Sequence, residues 1–215
     1  MCKPENIYEA SFARLALGAS PAARGEAEAR LRERMSPARP YHNAAHIEAV
    51  LDRVYVWTGG EPPAALVAAA LYHDAIYDPT RHDNEAESAA LCLLELASLG
   101  VPGSIAERAA ALIAVTARHE PDGADADALA LCDADLWILG SDPTMYSAYV
   151  AAIRAEYAHV SEDAWRTGRA RVLEHFLERE RIYHGGFYGA DAREAQARAN
   201  LANEVASLKP DGTRE

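Results

Sequence analysis

The sequence contains no long apolar run and very little cysteine. No stretch approaches the roughly 18–20 consecutive apolar residues of a membrane span, and the first residues, MCKPENIYEASF, lack the apolar core of a secretion signal. The three cysteines, Cys2, Cys92 and Cys132, are odd in number and show no CxxC spacing, which argues against a disulfide framework. We therefore expect a protein of the reducing cytoplasm without membrane contact.

Positive charge is also scarce. The chain carries 21 Lys and Arg against 33 Asp and Glu, a net charge of -12. A field of this sign repels long polyanions, so we expect no long nucleic acid as a partner. A small phosphorylated substrate remains compatible with the charge, because a metal ion and a few arginines can reverse its sign locally. The sequence gives no indication of the oligomeric state.

Runs of alternating β-branched residues are absent, whereas alanine, leucine, glutamate and arginine, which favour helices, dominate. We predict an all-α fold in a single domain, 1–215, long enough to bury a core. Its metal-site core would cover about 41–139, with C-terminal helices, 143–208, packed on it. The predicted helices are approximately 5–35 with an interruption near 18–21, 41–58, 63–77, 84–99, 103–118, 126–139, 143–157, 161–183 and 190–208.

Two histidines lie four residues apart in the segment RPYHNAAHIEAV. On a helix, His42 and His46 would leave the same face. Such a pair can share a metal ion, or one histidine can bind metal while the other transfers protons. A peptidase with an HExxH motif is disfavoured, because Asn43 stands where that motif has its glutamate.

Acidic residues interrupt two apolar segments. His73 and Asp74 follow the run AALVAAALY, and Asp133 and Asp135 lie within LALCDADLWIL. A buried carboxylate costs several kcal/mol unless a cation or strong hydrogen-bond donors compensate it. A metal ion would supply this compensation at Asp74 and at whichever of the two later aspartates faces inward.

The order of these residues, H…HD…D, resembles the HD superfamily of metal-dependent phosphohydrolases over at least 41–139. YHNAAHIEAV and DADL are similar to segments of its cyclic-nucleotide phosphodiesterase branch. HDAIYDPTRHDNEAESA and WRTGR resemble a bacterial group of predicted HD-domain phosphohydrolases. The resemblance implies a helical HD-domain bundle in which the metal ligands are His46, His73, Asp74 and Asp135.

The same resemblance gives two of these positions a catalytic role. His42 occupies the position of the proton donor to the leaving oxygen, and Asp74 would bridge two ions if a second were bound. The implied reaction is attack of metal-bound hydroxide on the phosphorus of a small phosphate ester, such as a nucleotide or a related phosphometabolite, either monoester or diester. The mixed nitrogen and oxygen ligands suit Mn, Fe, Co, Ni, Zn or Mg.

The sequence also departs from the phosphodiesterases. Tyr77 stands where they carry a further histidine, and the glutamine that grips the cyclic-nucleotide base has no counterpart that we can locate. Specificity for cyclic nucleotides therefore does not transfer to this chain.

Four other residues are candidates for substrate binding: Asp78, Glu87, His119 and Arg169. Each also has a structural interpretation. The acidic residues after the HD pair would favour the N-terminus of the next helix, His119 would sit favourably at a helix C-terminus, and Arg169 would form a salt bridge. Gly168, beside Arg169, costs about 1 kcal/mol relative to alanine in a helix, which suggests close packing or a ligand nearby.

Two other functions compete with phosphohydrolysis. Some HD-type sites hold two iron ions and activate O₂, which requires further histidine ligands, and His82 and His119 are the available candidates. A degenerate HD domain could instead sense a nucleotide without cleaving it. The complete ligand set and His42 argue against that second alternative.

Overall fold

The computed structural model describes residues 6–36, 38–186 and 189–209. Across these ranges the chain forms ten α-helices and one 3-10 helix and has no β-strand, which confirms the all-α prediction. No helix in this part of the chain is long and apolar enough to cross a membrane. The α-helices are α1 Ile7–Leu15, α2 Pro21–Arg34, α3 Ala44–Trp57, α4 Ala64–Tyr72, α5 Asn84–Ser98, α6 Gly103–Thr116, α7 Ala126–Asp135, α8 Pro143–Glu156, α9 Glu162–Glu178 and α10 Ala190–Leu208, and the 3-10 helix is Leu136–Gly140.

The chain divides into two compact units, Met1–Asp135 and Leu136–Glu215. In the first unit, α4 is buried on all sides from Ala65 to Tyr72 and packs against α1, α3, α5, α6 and α7. A helix without a polar face has to lie inside the bundle, which is the position that its sequence predicts. In the second unit, α10 packs against α9 and the 3-10 helix.

Short polar side chains set the start of several helices. Ser20 accepts a hydrogen bond from the amide of Ala23 at the start of α2, with Pro21 as the first helical residue. Asn43 accepts from the amide of Ala45 and caps α3. The predicted start of α3 at residue 41 is therefore wrong, since His42 precedes the cap and lies outside the helix.

Two helices end earlier than predicted, and side chains hold amides of the segments that follow them. The helix predicted over 63–77 ends at Tyr72, and beyond it the amides of Ile76 and Asp78 bond to side chains of α5. The helix predicted over 161–183 ends at Glu178, and the amide of Tyr183 donates to the carboxylate of Glu194. An amide held by a side chain cannot also continue the helical ladder.

Two of the three cysteines can be located. Cys92 and Cys132 form no disulfide and are buried in the core of the first unit, in agreement with their interpretation as small apolar residues. Burial raises the pKa of Cys92 to about 12. Cys2 lies outside the described residues.

Candidate metal centre

Two imidazoles and two carboxylates meet in the first unit. His46 lies on α3, His73 and Asp74 follow the last residue of α4, and Asp135 ends α7. Each offers one ligand atom, and these four atoms all lie within 4.8 Å of one another. His46 and His73 are 7% and 1% exposed. The sequence predicted these four residues as one ligand set, and the fold brings them together.

The distances between the four ligand atoms suit a single small cation. Nε2 of His46 lies 3.1 Å from Nε2 of His73 and 3.1 Å from Oδ1 of Asp135. Oδ2 of Asp74 lies 3.3 Å from Nε2 of His46 and 3.2 Å from Nε2 of His73. A divalent ion about 2.0–2.2 Å from each ligand would hold neighbouring ligand atoms roughly 3.0–3.5 Å apart.

A backbone contact orients the ring of His73 toward the cluster. Its Nδ1 lies 3.0 Å from the carbonyl oxygen of Ala70, one turn earlier on α4. When Nδ1–H donates to this carbonyl, the lone pair of a neutral imidazole is on Nε2, which faces the cluster. Histidine ligands in metal sites are commonly held in this way. The donor set therefore fits a cation such as Mn²⁺, Fe²⁺, Co²⁺, Ni²⁺ or Zn²⁺.

The pKa values of His46 and His73 are both raised, which favours their protonated forms. Burial alone would lower both, but the negative charges of Asp74 and Asp135 hold the pKa of His73 well above its usual value. Hydrogen bonds to Asp135 and Asp74 likewise outweigh burial at His46 and raise its pKa.

The pKa values of the carboxylates of Asp74 and Asp135 are both lowered. Burial favours their neutral forms, but the charges of His73 and His42 hold the pKa of Asp74 well below its usual value. The charge of His73 and the hydrogen bond from His119 lower that of Asp135. Protons on the imidazoles can thus balance the carboxylates, and a divalent cation would replace those protons.

Arg39 supports the turn that carries the HD pair, a contact that the sequence analysis missed. Its Nη1 donates to the carbonyl oxygen of Asp74 at 2.8 Å, and its Nη2 donates to that of Ala75 at 3.3 Å. Nη1 also lies 3.5 Å from the carbonyl oxygen of His42. The guanidinium thus ties the loop before α3 to the turn after α4. The spacing of 35 residues between Arg39 and Asp74 leaves no local signal of this contact.

Two buried side chains of α5 hold the segment after the HD pair. The hydroxyl of Ser88 accepts from the amide of Ile76 at 3.0 Å and donates to its carbonyl oxygen at 3.2 Å. The amide side chain of Asn84 accepts from the amide of Asp78 at 3.0 Å and donates to its carbonyl oxygen at 2.9 Å. The backbone on both sides of residue 77 is thereby fixed to the core.

His42 lies beside the cluster, outside the ligand set. The centres of its ring and the His46 ring are 5.8 Å apart, with the planes at 73°. Its ring stacks on Tyr77, with centroids 3.9 Å apart and planes at 23°. His42 and His46 therefore lie close together, as the sequence predicted. The reason differs, because His42 lies in the loop before α3 and the two residues do not share a helical face.

His119 contacts the cluster from outside through Asp135. Its Nε2 lies 2.7 Å from Oδ2 of Asp135, and the other oxygen of this carboxylate faces His46. The sequence left open which aspartate of DADL faces inward. Both are shielded from solvent, but Asp135 joins the ligand group, whereas Asp133 is completely buried elsewhere in the core.

The remaining substrate-binding candidates have structural partners. Oδ1 of Asp78 accepts from the amide and hydroxyl of Thr80, and Glu87 pairs with Arg81 at 3.3 Å. The Asp83 side chain makes no cap bond to α5.

Arg169 lies in the second unit and pairs with Glu204 at 2.8 Å. The adjacent Gly168 faces open space: a Cβ placed there meets no atom within 4 Å among the described residues. Close packing therefore does not explain that glycine. Substrate roles for Asp78, Glu87, His119 and Arg169 stay predictions.

Comparisons of this chain with family models, curated proteins and solved structures gave no match. The chemistry of the site is therefore inferred from its geometry. That geometry is a buried group of two histidines and two aspartates that could hold one cation.

Proposed function

We propose that this protein is a metal-dependent hydrolase of small phosphate esters. The supporting observation is the convergence of His46, His73, Asp74 and Asp135 within 4.8 Å of one another, with the ring of His42 next to them. These are the residues that the resemblance to the HD superfamily assigns to metal binding and proton transfer.

The chemistry needs both parts of this arrangement. A divalent ion held by the four ligands would polarise a phosphoryl oxygen and lower the pKa of bound water. In hydrolysis, the oxygen of water joins phosphorus, and the bond from phosphorus to the leaving oxygen breaks with its electron pair on that oxygen. His42 gives the leaving oxygen a proton, and a proton released by the water restores the imidazole. The products are an alcohol and a phosphate.

Oxygen activation by two iron ions is the second candidate. It needs histidines beyond the four ligands, and the two candidates are placed differently. His119 reaches the outer oxygen of Asp135, whereas His82 is exposed in the loop before α5. Only one of the two candidate histidines, His119, is thus near the cluster, which favours a site for one cation over a site for two iron ions. Iron content and oxygen consumption of the purified protein distinguish the two activities.

Metal binding and turnover test the proposal separately. Isothermal titration with Mn²⁺, Ni²⁺ and Zn²⁺ should show one ion per chain, and Asp74→Ala should weaken binding by more than about 100-fold, since even changes around the ligands cost about 10–100-fold. Asp78→Ala is the matched control, because its carboxylate bonds to Thr80. Unchanged metal affinity in Asp74→Ala would overturn the ligand assignment.

A screen of nucleotides and other phosphate esters, run with each metal, tests the reaction. His42→Ala should retain the metal and lose about 10²- to 10⁴-fold in kcat, the usual contribution of a general acid. Turnover in His42→Ala equal to wild type would remove this residue from the mechanism. A metal-loaded wild type that hydrolyses no ester in the screen would refute the proposed function.

A further inference from the structure

The ring of Tyr77 covers one face of the His42 imidazole. Their centroids lie 3.9 Å apart and their planes differ by 23°, which is the closest arrangement among the ring pairs described around the cluster. Face-to-face contact at this distance restricts rotation of the imidazole about its side-chain bonds. One face of the His42 ring is thus held against the ring of Tyr77.

The backbone that carries Tyr77 is fixed on both sides. Ser88 bonds to the amide and carbonyl of Ile76, and Asn84 bonds to the amide and carbonyl of Asp78. Ser88 is fully buried and Asn84 is 9% exposed. Four hydrogen bonds thus hold the backbone on both sides of Tyr77, and they fix the point from which its ring extends.

The loop that carries His42 is tied to the same turn. Arg39 donates to the carbonyl oxygens of Asp74 and Ala75, and its guanidinium carbon lies 6.0 Å from the centre of the Tyr77 ring. Asn43 follows His42 directly; its side chain caps α3 and donates to the carbonyl oxygen of Arg39. The two ring-bearing segments are therefore joined through the backbone as well as through the stacked rings.

The stacked imidazole lies next to the cluster. The centres of the His42 and His46 rings are 5.8 Å apart, and their planes meet at 73°. A general acid must hold its N–H within hydrogen-bond reach of the leaving oxygen, and loss of this alignment slows the step. An aromatic support that fixes the ring meets this requirement.

We propose that Tyr77 is a positioning residue for His42, and that it aligns the imidazole with the leaving oxygen of a phosphate ester bound at the cluster. The inference rests on the proposed function. It assigns a task to the position at which the chain departs from the phosphodiesterase pattern, where a tyrosine replaces a histidine. Tyr77 itself gives or takes no proton in this role.

The stack can be measured without turnover. Protons of the His42 ring lie over an aromatic face and should resonate upfield of those of an exposed histidine in the metal-free protein. They are assigned by their absence in His42→Ala. In Tyr77→Leu they should move downfield, and in Tyr77→Phe they should stay in place. Unchanged resonances in Tyr77→Leu would overturn the proposal, because the two rings would then not be stacked in solution.

The kinetic test compares leaving groups. Phenyl phosphate has a poor leaving group that needs a proton, and 4-nitrophenyl phosphate has a good one that does not. With equal metal content, Tyr77→Leu should lower kcat for phenyl phosphate roughly tenfold, a part of the about 10²- to 10⁴-fold that a general acid contributes. The kcat for 4-nitrophenyl phosphate and both KM values should stay within about twofold, and Tyr77→Phe should restore wild-type rates.

Controls separate this inference from the proposed function. Tyr157→Leu removes another half-buried tyrosine that stacks beside a histidine, His159, at 5.9 Å, and should leave the ratio of the two rates unchanged. An equal loss on both esters in Tyr77→Leu would indicate a merely structural role and overturn the inference alone. A His42→Ala variant with full activity would overturn the inference and remove His42 from the mechanism. A metal-loaded wild type inactive on every ester of the screen would overturn the proposed function and the inference together.

Discussion

Nε2 of His119 lies 2.7 Å from Oδ2 of Asp135, the carboxylate oxygen turned away from the imidazole of His46. The backbone of His119 has a φ of 50°, in the left-handed region that costs a residue with a Cβ about 1–2 kcal/mol. It follows the end of α6, where glycine is the usual residue in this conformation. The chain places an imidazole there despite the cost, and the imidazole holds Asp135.

This relationship predicts that two substitutions of His119 lower metal affinity equally but differ in their effect on stability. His119→Ala and His119→Gly both remove the imidazole, and each should weaken metal binding about 10- to 100-fold, since Asp135 loses its orienting partner. The glycine variant relieves the backbone, so its free energy of unfolding without metal should exceed that of the alanine variant by about 1 kcal/mol. Calorimetric titration and urea denaturation measure the two quantities.

The control for His119 is an exposed histidine. His82→Ala should change neither metal affinity nor stability, because His82 lies exposed in the loop before α5. Wild-type metal affinity in both His119 variants would show that Asp135 needs no support from this side. Equal stability of the two variants would show that the left-handed backbone carries no cost here.

Metal addition should stabilise the folded chain. Ligands that converge only in the fold bind a cation in the native state, and saturation to 100 times the dissociation constant adds about 2.7 kcal/mol. For a chain of this size, roughly 2–4 °C per kcal/mol gives a rise of about 5–10 °C in the melting temperature. Calorimetric scans with Mn²⁺, Ni²⁺ or Zn²⁺, before and after chelation, measure this shift.

Calcium serves as the control ion. It prefers six to eight oxygen ligands, and this group offers two nitrogens and two carboxylates. The same concentration of Ca²⁺ should therefore raise the melting temperature much less, and Asp74→Ala should abolish the rise with the other ions. A similar shift with Ca²⁺, or a full shift in Asp74→Ala, would place the cation elsewhere.

A different prediction concerns Arg169, for which the sequence suggested substrate binding. Its Nε donates to Oε1 of Glu204 at 2.8 Å, its Nη2 lies 3.2 Å from Oε2, and the two side chains are 8% and 5% exposed. Tyr146 donates its hydroxyl to the same carboxylate. Removing one partner of such a buried pair leaves the other charge uncompensated.

Arg169→Ala should therefore lower the free energy of unfolding by about 3–5 kcal/mol. The double variant Arg169→Met with Glu204→Leu should recover part of this loss, because no charge is left unpaired although the hydroxyl of Tyr146 loses its acceptor. Urea denaturation measures both. If Arg169 and Glu204 serve only the stability of the fold, KM for phosphate esters should be unchanged in the double variant. A rise in KM in that variant, with stability retained, would instead support the original prediction that Arg169 binds substrate.

The sequence pointed to the candidate ligand group because its members are conspicuous, and the resemblance to the HD superfamily selected Asp135 rather than Asp133. His46, His73, Asp74 and Asp135 are ionisable residues within apolar segments, where their burial is costly without compensation. The helical class followed from composition in the same way. Both are properties of single segments, and a sequence displays them directly.

The surroundings of the group could not be predicted, because they depend on contacts between distant segments. Arg39 reaches the carbonyl oxygen of Asp74, and Glu194 holds the amide of Tyr183 beyond the end of α9. Each contact joins a side chain to a backbone group, which carries no residue identity for a pattern to reveal. For that reason the predicted helices 63–77 and 161–183 were too long, and Arg39 was missed.

The last prediction compares two glycines of the second unit whose surroundings differ. A Cβ added to Gly140 would lie 2.6 Å from the carbonyl oxygen and 2.6 Å from Cγ of Arg193, whereas one added to Gly168 would meet nothing within 4 Å. The Arg193 guanidinium donates to the carbonyl oxygen of Trp137 at 2.8 Å, so the side chain cannot move away without losing this bond. The carbonyl oxygen of Arg193 belongs to the backbone of α10 and cannot move without the helix.

Gly140→Ala should therefore lower the free energy of unfolding by about 1–3 kcal/mol, the usual cost of inserting a group into a packed region. Gly168→Ala, within α9, should raise it by about 0.4–1 kcal/mol, because alanine restricts the unfolded chain and favours the helix. Urea denaturation of the two variants, matched in chemistry, gives both values. A destabilised Gly168→Ala would mean that a group packs against α9 at this position in solution, which would support the prediction of a ligand near Gly168.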